Sequence, residues 1–287
     1  MGVLRVFPRR TAYTPAGGLV AVGEPDLFLA ERRREISPVD EIHVSCVFTW
    51  DRERCEQLAE IWSHALGAPA RVGGPGTLEA PGEFQPGQYV KHGVTFTSRG
   101  CPNACPWCMV PSVEGKLREL EIQQPGHVIQ DNNLLACSKR HIKNVFRMLV
   151  TQRKAAEFKG GLEVQRLDVW HIELLRDLRG KGKLRELWLA QDAPEVSPRL
   201  HGVVSKLRTF LARQRVRCYV LVGYNGETVA HAHKRLDEVW EAGAMPFAQY
   251  YRAPTESTWK KPPAEWRSLI RNWSRPALMA AAHEDEE

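Results

Sequence analysis

No run of apolar residues in this 287-residue chain approaches the length of a membrane span; the longest are strand-length. The opening stretch, MGVLRVFPRRTAYTP, lacks the apolar core of a signal peptide. These two absences predict a cytoplasmic protein with no membrane partner, in a compartment where thiols stay reduced. Seven cysteines, an odd number, then fit metal ligands, buried residues or catalytic groups better than disulfides. Internal repeats and low-complexity blocks are also missing. Carboxylates are absent from two long stretches, 138–156 and 197–218, and with a net charge of +6 this raises the question of an acidic partner. In the first stretch Ile142, Val145 and Leu149 form a stripe at helical spacing, with Lys139, Arg140, Lys143 and Arg147 largely off it. A solvated helix face is the plainer reading and a nucleic-acid-tracking surface the sharper one; charge alone does not choose between them.

A hydrophobic fraction of 43% with nine tryptophans is enough for a sizeable core, and the length suits one large domain or two smaller ones. In residues 1–92, DEIHVSCVFTWD (40–51) reads as a strand and RERCEQLAEIWSHALG (52–67) as a helix with Leu58, Ile61, Trp62 and Leu66 on one face. PARVGGPG adds a short strand and a Gly-rich turn. That makes one β-α-β unit, a small N-terminal α/β extension too small for a full dinucleotide fold. ERRREISP reads as a surface loop and GTLEAPGEFQPGQYVKHG as a linker.

From residue 93 strands and helices alternate. Strands are expected at 93–98, 127–131, 155–160, 186–191, 216–223 and 245–251, and helices at 138–153, 168–179, 199–213 and 229–242. Six strands alternating with helices over 93–252 predict a parallel sheet, open or curled into part of a barrel, with chemistry on the loops after the strands. Those tips are the cysteine cluster, DNN (131–133), GGLE (160–163), QDAP (191–194) and GYNGET (223–228). The strand at 216–223 is apolar almost throughout, as expected of a parallel strand covered on both faces. Residues 253–287 read as a C-terminal helical extension ending in an acidic tail, with Trp266, Leu269, Ile270 and Trp273 at helical spacing.

The sharpest signal is SRGCPNACPWCMVP (98–111), which places three cysteines within eight residues. A structural zinc site needs four ligands, normally from two compact pairs, and no second pair follows; His92 or His127 would have to reach in from afar. Four cysteines would complete a [4Fe–4S] cluster for electron transfer. Three on one loop leave one iron open, and an open coordination position is where substrate or cofactor binds. The rival is a non-catalytic protein stabilised by zinc or an iron–sulfur cluster at the same cysteines and binding nucleic acid.

The run GCPNACPWC resembles the C-x₃-C-x₂-C signature of the radical S-adenosylmethionine superfamily, with an aromatic residue before the third cysteine. The resemblance covers roughly residues 93–252. It implies a partial (β/α)₆ TIM-like barrel in which Cys101, Cys105 and Cys108 ligate a [4Fe–4S] cluster. The open iron would chelate S-adenosyl-L-methionine, and an electron from a donor such as flavodoxin or ferredoxin would cleave it to methionine and a 5′-deoxyadenosyl radical. Trp107 matches a position whose backbone meets the adenine. Asn132 and Asn133 fall where many relatives carry Gly-Gly-Glu for the methionyl amino group, a departure from the pattern. Glu163 lies one strand too late to be that glutamate and stands as a pocket acceptor. Gln191 and Asp192 are candidates for ribose or substrate contact, and Gly223 lies at the end of the fifth strand that lines the adenine in relatives. The N-terminal unit lacks the Asp-x-His-x-x-Gly pattern of cobalamin binding, and the short C-terminus and missing second cluster argue against the methylthiotransferase branch.

Among the remaining cysteines, Cys218 and Cys46 are expected in the core, Cys137 at the start of the basic helix, and Cys55 on the helix face away from Leu58. His231 and His233, two apart, point to different sides and make a poor ligand pair.

Overall fold

The computed structural model describes residues 2–25, 39–79, 89–193 and 197–283. ERRREISP, residues 80–88 of the 76–93 linker, Pro194 and the acidic tail beyond 283 lie outside the described residues. The chain divides into two compact units: Met1–Val94 with Ser112–Glu114 and Ala253–Lys260, and Thr95–Pro111 with Gly115–Arg252 and Lys261–Glu287. Among the described residues no helix is long and apolar enough to cross a membrane.

The first unit holds a parallel sheet in the order β2-β1-β3-β4, from β1 (Val3–Phe7), β2 (Val20–Val22), β3 (Glu41–Ser45) and β4 (Ala70–Gly73). Helix α1 (Arg52–Leu66) joins β3 to β4, so the expected β-α-β unit is there. Two further strands extend it. They escape a periodicity search because VAV is only three residues long and VLRVF is interrupted by Arg5, whose guanidinium reaches the Gly17 carbonyl at 3.3 Å. Helix α1 buries Cys55, Leu58, Ala59 and Trp62 and leaves Ile61 at the surface, so the expected apolar face is rotated and Cys55 sits on it. A residue three before Leu58 must share its face. Cys46 and Cys55 are both buried, and the neighbouring Cys46 thiol together with burial pushes the Cys55 pKa up. The Trp62 indole donates to the Gly23 carbonyl at 2.9 Å. The helix stops at Gly67, whose φ of 64° suits glycine.

In the second unit β8 (Val128–Ile129) lies between β5 (Val94–Thr95) and β9 (Glu157–Phe158). A second sheet runs β10 (Leu162–Glu163), β11 (Leu187–Ala190), β12 (Val216–Val222) and β13 (Met245–Tyr250). Every registered pair in these two sheets is parallel, and a parallel bridge between Ala156 and Leu184 links them. Neighbours therefore follow chain order. The result is a mixed α/β arrangement with parallel strands, not closed into a complete barrel among the described residues. Two expected strands divide. GVTFTS ends β5 at Thr95, and Ser98–Arg99 (β6) pairs antiparallel with Arg118–Glu119 (β7). GGLE contributes β10 beside β11 and is not merely a tip.

Helices α3 (Lys139–Thr151), α4 (Val169–Gly180), α5 (Arg199–Arg208) and α6 (Val229–Glu241) follow successive strands, after a single turn α2 (Val110–Val113). Helix α5 ends five residues before the expected 213, and Arg213–Arg215 forms a separate 3₁₀ turn. Strand β12 is covered unequally on its two sides: Val216, Cys218, Val220 and Val222 are fully buried, while Arg217, Tyr219 and Leu221 are half-buried on the opposite face. There Tyr219 stacks on Trp188 with centroids 4.4 Å apart, and Phe247 meets both edge-on. Burying each such aliphatic side chain contributes about 1.5–3 kcal/mol. Helices α7 (Ala264–Asn272) and α8 (Pro276–His283) complete the unit, with Trp266, Leu269 and Trp273 buried and Ile270 partly so. Residues 253–287 are thus split, 253–260 grouping with the first unit and the helices with the second.

Candidate functional site

The cysteine loop leaves β6 through Gly100. Its φ is 76°, and a Cβ there would sit 2.3 Å from the Lys116 carbonyl oxygen, so only glycine fits. That turn lets the Cys101 N–H donate to the Gly115 carbonyl at 3.3 Å, and the Cys108 N–H donates to the Cys105 carbonyl at 3.0 Å. Cys101 and Cys105 are half-buried and Cys108 is exposed. Burial, then Cys108, Cys101, Glu163 and Asp192 in that order, raises the Cys105 pKa. The thiol therefore feels two neighbouring sulfurs and carboxylates from two separate strand ends.

Four strand ends reach this loop. After β8, Asn132 Oδ1 accepts the Gly100 N–H at 3.1 Å, and Asn133 Nδ2 donates to Cys101 Sγ at 3.6 Å and to Glu163 Oε2 at 2.7 Å. Asp131, the first residue of DNN, is instead buried structure. It accepts the Thr97 N–H at 2.6 Å, the Thr97 hydroxyl and the Ser98 hydroxyl at 2.9 Å, and burial still raises its pKa against those bonds. From β10, Glu163 Oε1 accepts from Asn103 Nδ2 at 3.1 Å and Oε2 from Arg166 Nε at 2.7 Å, while Arg166 also donates to Asn103 Oδ1 at 2.9 Å. Both Glu163 oxygens are thus engaged by this chain.

After β11, Gln191 is buried, and its N–H extends the ladder to the Tyr219 carbonyl at 3.0 Å. Asp192 is partly exposed as a residue, yet its Oδ1 is fully enclosed and accepts no hydrogen bond. Burial lifts its pKa to about 6 against a bond from the Leu221 N–H and the charge of Arg235. Arg235, itself buried, donates to the Leu221 and Ala193 carbonyls and lies 3.4 Å from Glu227. Glu227 in turn accepts the Gly223 N–H at 2.8 Å. Gly223 has φ 79°, and a Cβ there would lie 2.6 Å from the Tyr250 ring. Beyond it Tyr224 meets Trp107 edge-on at 5.7 Å and Tyr251 at 4.8 Å, which joins the end of β12 to the cysteine loop.

Asn103, Arg166, Tyr224, Glu227 and Arg235 were not singled out from sequence. Arg166 follows Glu163 by three residues, a spacing that pairs charges on a helical turn and was a readable signal. The other cysteines lie elsewhere. Cys218 is core; Cys137 precedes the N-cap Ser138, where burial raises its pKa to about 11 rather than lowering it. His231 and His233 pair with Glu227 and Asp237.

Among the described residues no three His, Cys, Asp or Glu side chains converge on a point able to hold a single metal ion. Tetrahedral zinc would require sulfurs about 2.3 Å from one centre. A cluster of several irons holds its thiolates farther apart, as corner ligands of a cube. Three thiols on one loop, an amide N–H 3.6 Å from the Cys101 sulfur and a glycine turn before it are the groups this loop gathers. The chain matches no protein-family model and no curated protein.

Proposed function

We propose that this chain is a radical S-adenosylmethionine enzyme whose second unit is a partial (β/α)₆ barrel and whose first is a small α/β extension. The observation that carries the reading is convergence: the ends of β8, β10, β11 and β12 all contact or electrostatically perturb the Cys101–Cys108 loop. Consecutive parallel strands support the barrel, since that is the winding order of a TIM-like sheet. Cys101, Cys105 and Cys108 would hold a [4Fe–4S] cluster. When bound, cluster and S-adenosyl-L-methionine supply a 5′-deoxyadenosyl radical after one electron arrives from a flavodoxin- or ferredoxin-like donor.

The chain's own residues then bind and shield. Asp192 and Gln191 stand at the end of β11, the place expected for contact with the ribose or the substrate. Gly223 and Trp107, linked through the Tyr224 ring that follows Gly223, are assigned to the adenine. Asn132 and Asn133 replace a glutamate at the amino-group position. Glu163 is committed to the loop and is assigned no cofactor contact. Trp188, Tyr219 and Phe247 on the helix-free face of the sheet keep water from the interior. A cytoplasmic setting suits the reduced thiols.

The test is anaerobic incubation of the iron-loaded, reduced protein with S-adenosyl-L-methionine. Methionine and 5′-deoxyadenosine should form, and Cys105→Ala should abolish both. A loaded protein that leaves the cofactor intact would refute the reading. A colourless protein with one zinc that binds nucleic acid would replace it with the non-catalytic alternative.

A further inference from the structure

Glu163 sits at the centre of a closed set of polar contacts whose members come from three places in the chain. Asn103 lies inside the cysteine loop between Cys101 and Cys105, Asn133 follows β8, and Arg166 lies in the 3₁₀ turn Val164–Arg166 after Glu163. Glu163 Oε1 accepts from Asn103, Oε2 accepts from Asn133 and Arg166, and Asn103 Oδ1 accepts from Arg166. The ring Asn103–Glu163–Arg166 can close in only one sense, because a carboxylate only accepts and a guanidinium only donates. The Asn103 amide is therefore fixed: its NH₂ faces Glu163 and its oxygen faces Arg166. The same logic fixes Asn133, whose NH₂ must face the Glu163 carboxylate, and that orientation turns an N–H toward Cys101 Sγ.

We infer that Glu163 is a positioning residue: with Arg166 and Asn133 it latches the Cys101–Cys105 segment onto β10, so that the loop is ordered before any cluster binds and an N–H donor already faces the first sulfur. The inference rests on the cluster reading only for the purpose of the latch. A three-residue spacer between two ligands is otherwise a surface loop of small residues, and holding it open by chance would carry an ordering cost at each loading event. The latch moves that ordering into the fold. Its second consequence concerns the sulfur itself, since donors to ligating sulfurs and their outer partners tune affinity and potential.

The experiment compares the metal-free proteins first. In Glu163→Gln one carboxylate oxygen becomes an NH₂ that faces the donors of Asn133, Arg166 or Asn103, and the ion pair with Arg166 is lost. Asn103→Ala removes the loop's own anchor and leaves Glu163 with Arg166, which guards against misfolding of the first variant. Amide hydrogen exchange of the metal-free chain should speed up at Cys101 and Cys108 by at least about tenfold in both variants, the equivalent of one hydrogen bond to a charged group. Exchange at Val220 and Leu236 in the core should not change. After iron loading, both variants should lose iron to a chelator faster than wild type, and Glu163→Gln should shift the midpoint potential because the Asn133 donor is no longer held. Unchanged exchange at Cys101 and Cys108 in both variants would overturn the latch, whatever the iron results. A wild-type chain that takes up no iron but shows the exchange difference would keep the latch and sink the cluster reading instead.

Discussion

Two glycines with nearly the same backbone and different surroundings separate a local conformational cost from the geometry that sets the cysteine loop. Gly100 has φ 76° and Gly226 φ 75°. A Cβ on Gly226 meets nothing within 4 Å, whereas on Gly100 it would lie 2.3 Å from the Lys116 oxygen and 2.7 Å from that of Gly115. Alanine at either position pays the left-handed penalty of about 1–2 kcal/mol, partly offset by a less flexible unfolded chain, so Gly226→Ala should lose roughly 1 kcal/mol. Gly100→Ala must also push a backbone carbonyl back by roughly 1 Å to reach ordinary contact, which adds about 1–3 kcal/mol. At about 2–4 °C per kcal/mol for a chain of this size class, Tm should fall by a few degrees in the first variant and two to four times as far in the second. Thermal melting followed by circular dichroism reads the difference, and cysteine alkylation should speed up in Gly100→Ala alone. Equal melting shifts would refute the claim that Gly100 is held against the 115–116 backbone.

Other expectations follow from the same contacts. Burial lifts the Asp192 pKa to about 6 in the folded chain against about 3.9 unfolded, so the folded state binds the extra proton between those values and stability falls as pH rises through that window. The loss is up to about 3 kcal/mol, and Asp192→Asn should flatten the slope of urea stability between pH 4 and 6; an unchanged slope would assign the pH dependence elsewhere. Ser138→Ala removes the oxygen that accepts the His141 N–H at the start of α3 and should lower stability by about 1 kcal/mol, with faster exchange confined to that turn. Cys218→Ala should lower stability by about 1 kcal/mol through lost core packing yet leave iron content unchanged, in contrast to Cys105→Ala.

The repeating part of the fold was legible because its helices carry strong periodicity. Ile142, Val145 and Leu149 are buried where the stripe put them, and α3, α4 and α6 end within two residues of expectation. Strand lengths were not legible, since pairing is decided by neighbours: GVTFTS looks continuous in sequence, but β6 leaves the sheet to pair with β7. The N-terminal strands β1 and β2 were missed for want of length, and the apolar face of α1 was drawn through Ile61 when the chain buries Cys55 and Ala59 instead. At the candidate site the three cysteines stand out by their spacing, and the strand order explains why Asn132 and Asn133 lie against their loop. The Glu163 latch was hidden because Asn103 and Asn133 are thirty residues apart and meet only after β8 and β10 are set in place. Arg235 was hidden for another reason: its position on α6 looks like an ordinary surface cation, and only the fold turns it inward beneath Asp192.

The most direct measurement is the iron and acid-labile sulfide content of the anaerobically reconstituted chain, with and without S-adenosyl-L-methionine in the electron paramagnetic resonance spectrum of the reduced sample. The account predicts about four irons and four sulfides per chain and a spectrum that changes when the cofactor is added, because one iron has no ligand from the protein. A cluster whose spectrum ignores the cofactor, or a chain that holds a single zinc in its place, would contradict it.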